Sequence, residues 1–309
     1  MAAEIQTIDT LAGAAAAASK TRAGTASRGT SVPRMALRLL ALAARMDLMW
    51  LLRDTRSCLL VMLTDVIGTV SGIAGVLLMA ARFGGIGGMT GDQVLFLLGY
   101  ATCIDGLFML FFGMNNNGMI SRVIGRGQFD HMLIQPVPLP VQIFCTGFIP
   151  FTGSSVLLGG VAVTAVAAHR IGLAANPLWI PAVIGSLFAS LGLILAFSFL
   201  IGSSAFWAPV AAEEICMSAV GFFDATKRFP LGGLPAPLQL LYCTVLPAGL
   251  VAWLPAARIL GLPAAGLTTF FLVLAALFVG SAATIVFRKG LRHYAKYGSN
   301  RYTDHAHRR

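Results

Sequence analysis

Four carboxylates stand where a carboxylate is costly. Asp65 and Asp105 lie inside long apolar runs, and Glu213 and Glu214 lie near the start of another. On insertion scales a charged side chain at mid-bilayer costs about 2.5–3.5 kcal/mol. Such groups face the interior of a helix bundle or a wet cavity. There they can bind a cation, carry a proton, or make a polar contact between helices. Other chemistries lack their residues. No Gly-x-x-x-x-Gly-Lys-Ser/Thr run occurs, so no loop of this chain cradles a nucleotide's phosphates. No HExxH, Ser/His/Asp or Cys/His arrangement is visible. Cys58, Cys103, Cys145, Cys216 and Cys243 are scattered, without CxxC or Cys/His spacing, and read as small apolar fillers. His131 is alone in its connection, too little for a metal site. No metal and no cofactor is expected in this chain.

A second constellation lies in the polar connection 118–138, which carries Arg122, Arg126 and Asp130. Ile120, Val123 and Ile124 offer an apolar face beside them. One use is an ordinary basic loop between two spans. The other is a short helix that docks on a second protein.

These residues must be positioned by membrane helices. Hydrophobic residues make up 57% of the chain and charged residues 11%, and the mean hydropathy is +0.81. Soluble proteins carry about 25% charged residues, so a water-facing surface cannot be built here. Several runs exceed the roughly 18 apolar residues that mark a span. The spans expected are 57–81, 93–114, 139–167, 178–206 and 265–287, with Trp179 and Trp207 as interface anchors of the fourth. One more comes from an ambiguous section. Residues 208–226 are apolar but hold Glu213, Glu214 and Asp224, whereas 238–256 are more apolar but hold Pro247 and Pro255. Hydropathy alone selects the second. Either choice gives an all-α polytopic membrane protein with about six spans and both termini on one side. Gly68, Gly72 and Gly75 make a small-residue face in the first span, suited to close helix packing within the chain or between chains.

Residues 1–33 are rich in Ala, Ser, Thr and Gly and read as a disordered cytoplasmic tail. Residues 34–56 read as an amphipathic interfacial helix. At about 100° per residue, Arg34, Arg38, Arg45, Arg53 and Arg56 share roughly a third of its circumference. Asp47 and Asp54 fall opposite. Residues 288–309 form a basic tail. The net charge of +10 is gathered at the termini and in short connections. That is a positive-inside distribution rather than a nucleic-acid groove, and it places both termini in the cytoplasm.

The stretch from Asn115 to Pro140 reads NNNGMISRVIGRGQFDHMLIQPVPLP. Its Arg126-Gly127-Gln128-Phe129-Asp130, with Met132, Leu133 and Pro136, resembles the cytoplasmic loop of type-2 ABC exporter permeases. The likeness is greatest to the branch of uncharacterised and viologen or multidrug exporter permeases. Ala205-Phe206-Trp207, Phe229-Pro230-Leu231, Leu234-Pro235, Val245-Leu246-Pro247, Leu254-Pro255-Ala256 and Gly290-Leu291-Arg292-His293-Tyr294 follow in family order. The likeness covers about residues 35–300. Gln128 stands where a Glu is usual, and Glu213 and Glu214 are unusually acidic for their place.

The resemblance implies that 208–226 is the fifth span. Segment 236–258 is then a re-entrant hairpin or a pair of short external helices. It also implies a separate cytoplasmic ABC ATPase dimer that holds ATP and Mg. A second permease, a paralogue or the same chain, completes the transporter in the bacterial inner membrane. Arg122, Arg126, Phe129, Asp130, Met132, Leu133 and Pro136 would then couple to the ATPase. Asp65, Asp105, Glu213 and Glu214 would be candidates for the substrate pathway. Two rivals stand beside this reading. An ion-coupled secondary transporter would use Asp65 and Asp105 and should show an internal repeat, and none is visible. A membrane-embedded enzyme would need catalytic side chains clustered at one depth.

Overall fold

The computed structural model describes residues 31–113, 119–173, 179–262 and 268–298. Most of the expected tail 1–33, and residues 299–309 of the basic tail, lie outside them.

Helix α1, Val32–Arg53, is the amphipathic segment. It begins at Ser31 with Pro33 in its first turn, where a missing N–H is tolerated. Helix α2, Thr55–Phe83, starts on Asp54, whose side chain accepts from Ser57 N at 3.2 Å. It ends at Gly84 with φ 69°, a left-handed stop that suits glycine. Helix α3, Gly91–Phe112, opens with a capping box in which Thr90 and Gln93 satisfy each other's backbone N–H. Three short helices follow: α4 Ile120–Gly125, α5 Gln128–Ile134 and α6 Leu139–Cys145. Then come α7 Ser154–Ile171, α8 Trp179–Gly202 with a 3-10 turn Ser203–Phe206, and α9 Pro209–Lys227. A 3-10 turn Leu231–Gly233 leads to α10 Ala236–Thr244, α11 Ala248–Val251 and α12 Trp253–Ile259. Helix α13, Thr268–Tyr297, closes the described chain.

The fold is all-α and polytopic. Among the described residues, five helices are long and apolar enough to cross a membrane: α2, α3, α7, α8 with its 3-10 turn, and α13. The pair α10 and α11–α12 passes the same test as a unit bent by 75°. Helix α9 does not pass, because its 19 residues carry Glu213, Glu214, Asp224 and Lys227.

The expected third span, 139–167, is two helices. Residues 146–153 interrupt it with Gly147, Pro150 and Gly153. Proline lacks the N–H that a continuing helix needs, so α6 stops at Cys145 and a new helix starts at Ser154. Helix α13 runs on from the expected last span into the basic tail, as far as Tyr297.

Register contacts fix the two ends of the bundle. Helices α3 and α7 run antiparallel: a Cβ on Gly99 would meet Thr164, and one on Gly106 would meet Leu157. Arg170 meets Asp92 at 3.7 Å at the end where α7 finishes. Helices α8 and α13 run parallel, with Gly280 facing Ala196 and Gly290 facing Phe206. Helix α9 runs against α8, since Cys216 faces Gly202 and Phe223 stacks on Phe197 at 4.8 Å. Residues 230–233 then touch Gly87 in the α2–α3 turn. So α9 joins the end that holds the 120–153 loop to the end that holds Gly87. Buried α11 and α12 lie between the Gly87 end and the core. Val251 O accepts from buried Ser190 at 2.7 Å, which satisfies backbone at a break in the helix.

The outer face is apolar. Leu60, Leu63, Ile67 and Leu78 of α2, and Phe271, Leu277 and Phe278 of α13, are exposed. Lipid solvates such a surface, and water does not.

Candidate coupling loop and intramembrane charges

The loop between α3 and α7 folds back on its own bundle. Gly127, at φ 71°, turns the chain from α4 into α5. Phe129 is then fully buried. Its ring meets Phe206 at 5.4 Å, Tyr294 at 5.5 Å and Phe287 at 6.2 Å, all edge-on. The Tyr294 hydroxyl donates to Asp130 Oδ1. Phe206 can lie this close to α13 because residue 290 is glycine; a Cβ there would be 2.2 Å from its ring. On α4, Ile120, Val123 and Ile124 are buried in the same cluster. Arg122 Nε donates to Glu213 Oε1 of α9 at 3.1 Å, and Arg126 lies 3.8 Å from the same oxygen.

These contacts correct part of the expectation. Ile120, Val123, Ile124 and Phe129 are not free for another protein. Arg122 and Asp130 face partners within the chain. The outward face is the next stretch. Leu133 is 45% and Ile134 79% exposed, and Gln135, Pro136 and Pro138 are exposed beside them. Met132 is half-buried against the cluster. Buried Gln142 of α6 holds this stretch: its Nε2 donates to Met132 O at 2.9 Å and to Val137 O at 2.7 Å.

The four carboxylates do not gather at one place. Asp105 on α3 pairs with Lys227 Nζ, and its other oxygen accepts from Arg228 NH2 at 2.8 Å. Lys227 also donates to Asp224 at 2.6 Å, so two anions meet two cations. Asp105 therefore presents no unbalanced charge to a cationic ligand. Lys227 is buried, so its own charge depends on these partners. Glu213 is held by Arg122 and Arg126. Asp65 lies beside Ser155 of α7. Glu214 is exposed, on a shallow groove with Ala211, Ile215, Ser218 and Ala219.

The small-residue face of α2 meets no other helix backbone among the described residues. Among the described residues nothing lies within 4 Å of a Cβ on Gly68 or Gly75. Gly72 is approached by a side chain, Arg228 NH1 at 2.9 Å, and not by a helix backbone. The close helix pair is α3 with α7. A Cβ on Gly106 would lie 2.3 Å from Leu157 backbone, and one on Gly160 2.5 Å from Cys103 N.

One buried carboxylate carries a structural role that the sequence reading did not assign. Asp47 of α1 has no exposed surface. Its carboxylate accepts from Phe151 N at 2.7 Å, Thr152 N at 3.2 Å and Thr152 Oγ1 at 2.5 Å. Those amides open the turn into α7, and Gly153 offers no side-chain cap. Asp47 caps that turn from another element. The available signal was its place on the face of α1 opposite the arginines.

Residues 66–298 match the family profile described as ABC-2 family transporter protein. Searches of curated proteins and of solved structures find no match. The match takes in α3 to α13 and most of α2, and so contains the loop, the α3–α7 pair and the Asp105 network. The chain belongs to the ABC-2 transporter family, as a multi-pass membrane permease.

Proposed function

We propose that this chain is the permease subunit of an ATP-driven exporter, worked by a separate cytoplasmic ATPase. The observation that carries the reading is the two-sided loop 120–138. One side is anchored in the bundle by Phe129, Asp130 and Arg122. The other leaves Leu133, Ile134 and Pro136 exposed as an apolar knob, with Gln135 beside them, at one end of the bundle. That end also receives the basic end of α13. A docking helix needs this combination: a free face for the ATPase and a rigid attachment to the spans. ATP and Mg would bind the partner, since this chain has no phosphate-binding loop.

The orientation follows from charge. The end with the loop, α1 and the end of α13 lies in the cytoplasm, where Lys and Arg accumulate. Helix α9 is then the fifth crossing, and α10–α12 enters from the outer face and returns to it. Two permeases, copies or paralogues, would flank the substrate path in a bacterial plasma membrane. Exposed Glu214 and half-buried Asp65 are its remaining candidate carboxylates. An ion-coupled transporter built on Asp65 and Asp105 gains nothing from the geometry, because Asp105 is matched by Lys227 and Arg228.

The test is release of the ATPase. Leu133→Asp with Ile134→Asp should leave the permease in the membrane and strip the ATPase from it. Retention of a stoichiometric ATPase by that variant would sink the docking assignment.

A further inference from the structure

The loop is covalently continuous with α3 and α7, yet its buried side chains grip other elements. Phe129 and Asp130 reach Phe206, Phe287 and Tyr294, which belong to the turn after α8 and to α13. Helix α13 lies along α8, with Gly280 facing Ala196 and Gly290 under Phe206. Helix α3 packs most extensively on α7, and α8 on α13. The bundle thus holds two tight pairs, and the loop is threaded from one and clamped to the other.

We propose that Tyr294 is a positioning residue that passes movement of the docking helix α5 to the α8–α13 pair. This rests on the reading of α5 as the ATPase contact. A push on Leu133 and Ile134 moves α5 as a seven-residue rod between Gly127 and Gln135. Its inner side transmits through two contacts of different kinds. The Phe129 ring bears on Phe206, Phe287 and Tyr294 and resists compression. The hydrogen bond from Tyr294 to Asp130 resists separation, so α13 follows α5 in both directions. Apolar contact alone would push and not pull. From the α3–α7 side α5 is held at its other end, where Gln142 of α6 donates to the Met132 carbonyl; the Tyr294 contact carries the stroke to α8–α13 and moves that pair relative to α3–α7.

The conservative variant is Tyr294→Phe, which keeps the ring against Phe129 and removes the hydroxyl. It is studied in the assembled transporter with its ATPase, reconstituted in phospholipid vesicles. Spin labels at Leu158 on α7 and Leu277 on α13, both exposed, report the distance between the two pairs. Expected: the ATPase stays bound and hydrolyses ATP, while the distance change driven by ATP and vanadate falls at least twofold. An undiminished change overturns the proposal. Amide exchange in α5 of the permease alone is a second readout, independent of any partner. Loss of a hydrogen bond to a charged group should speed it about tenfold, and unchanged exchange also overturns the proposal. Asp130→Asn, which can still accept from Tyr294, should lie between the parent and Tyr294→Phe. Failure of the docking reading shows elsewhere, as an ATPase that survives the Leu133 and Ile134 substitutions.

Discussion

Replacing Asp47 with Ala should detach the N-terminal helix from the membrane bundle without unfolding either. The carboxylate is buried and accepts from two amides and one hydroxyl, at 2.5–3.2 Å. A hydrogen bond to a charged group contributes about 1.5–3 kcal/mol net. The three bonds share one acceptor group and do not add fully. Ala43 and Asp47 are the two buried residues of α1, so its docking rests heavily on this contact. A loss of about 3 kcal/mol in local docking follows, which is roughly a hundredfold in the population of the undocked state. Asp47→Asn keeps an acceptor but loses the charge, and should cost about tenfold. Amide hydrogen exchange of the purified chain reads this directly, because exchange at Phe151 and Thr152 then proceeds through local opening. Rates at Phe151 and Thr152 should rise together, and those in α3 should stay fixed. If both amides keep parental protection in Asp47→Ala, the carboxylate does not hold α1, and its burial has another cause.

Three further outcomes are expected. Gly106→Ala puts a methyl against Leu157 backbone, and overpacking of this kind costs about 1–3 kcal/mol or more; the yield of folded protein in detergent should fall. Gly75→Ala adds a methyl to open space within the chain and should leave that yield unchanged, and equal loss in both variants would contradict the packing described. Asp105→Ala leaves Lys227 buried with only Asp224 beside it, and removing one member of a buried pair costs about 3–5 kcal/mol. Thermal inactivation in detergent should show that Lys227→Met added to Asp105→Ala recovers part of the loss; a further fall would mean that the two side chains are not a pair.

The sequence carried the helices and concealed their partners. Hydropathy located α2, α3, α8 and α13 because each is a long run that lipid can solvate. It misjudged 139–167, where Gly147, Pro150 and Gly153 cost little hydropathy but break the backbone. The GxxxG spacing of Gly68 and Gly72 pointed to close packing within the chain or between chains, and the close packing within the described chain lies at Gly99, Gly106 and Gly160. A small residue shows where a helix may approach, and only the fold says whether one does. The sequence marked the loop's apolar and charged residues, but not which side of the loop each takes. Phe129 and Ile134 are both apolar and five residues apart, and only the aromatic cluster of Phe206, Phe287 and Tyr294 decides which one is buried. Asp105 read as a lone carboxylate because Lys227 lies 122 residues away, and pairing over that separation leaves no local trace.

The most direct test of the central claim is affinity purification of the tagged chain from its native membrane in mild detergent, followed by mass spectrometry and an ATPase assay. The expected result is a stoichiometric P-loop ATPase whose activity co-purifies with the parent chain and is lost from Leu133→Asp with Ile134→Asp. A chain that purifies without any ATPase, from membranes where it is intact and folded, would contradict the exporter reading. The carboxylates Asp65 and Glu214 would then be the place to look for an ion-driven mechanism.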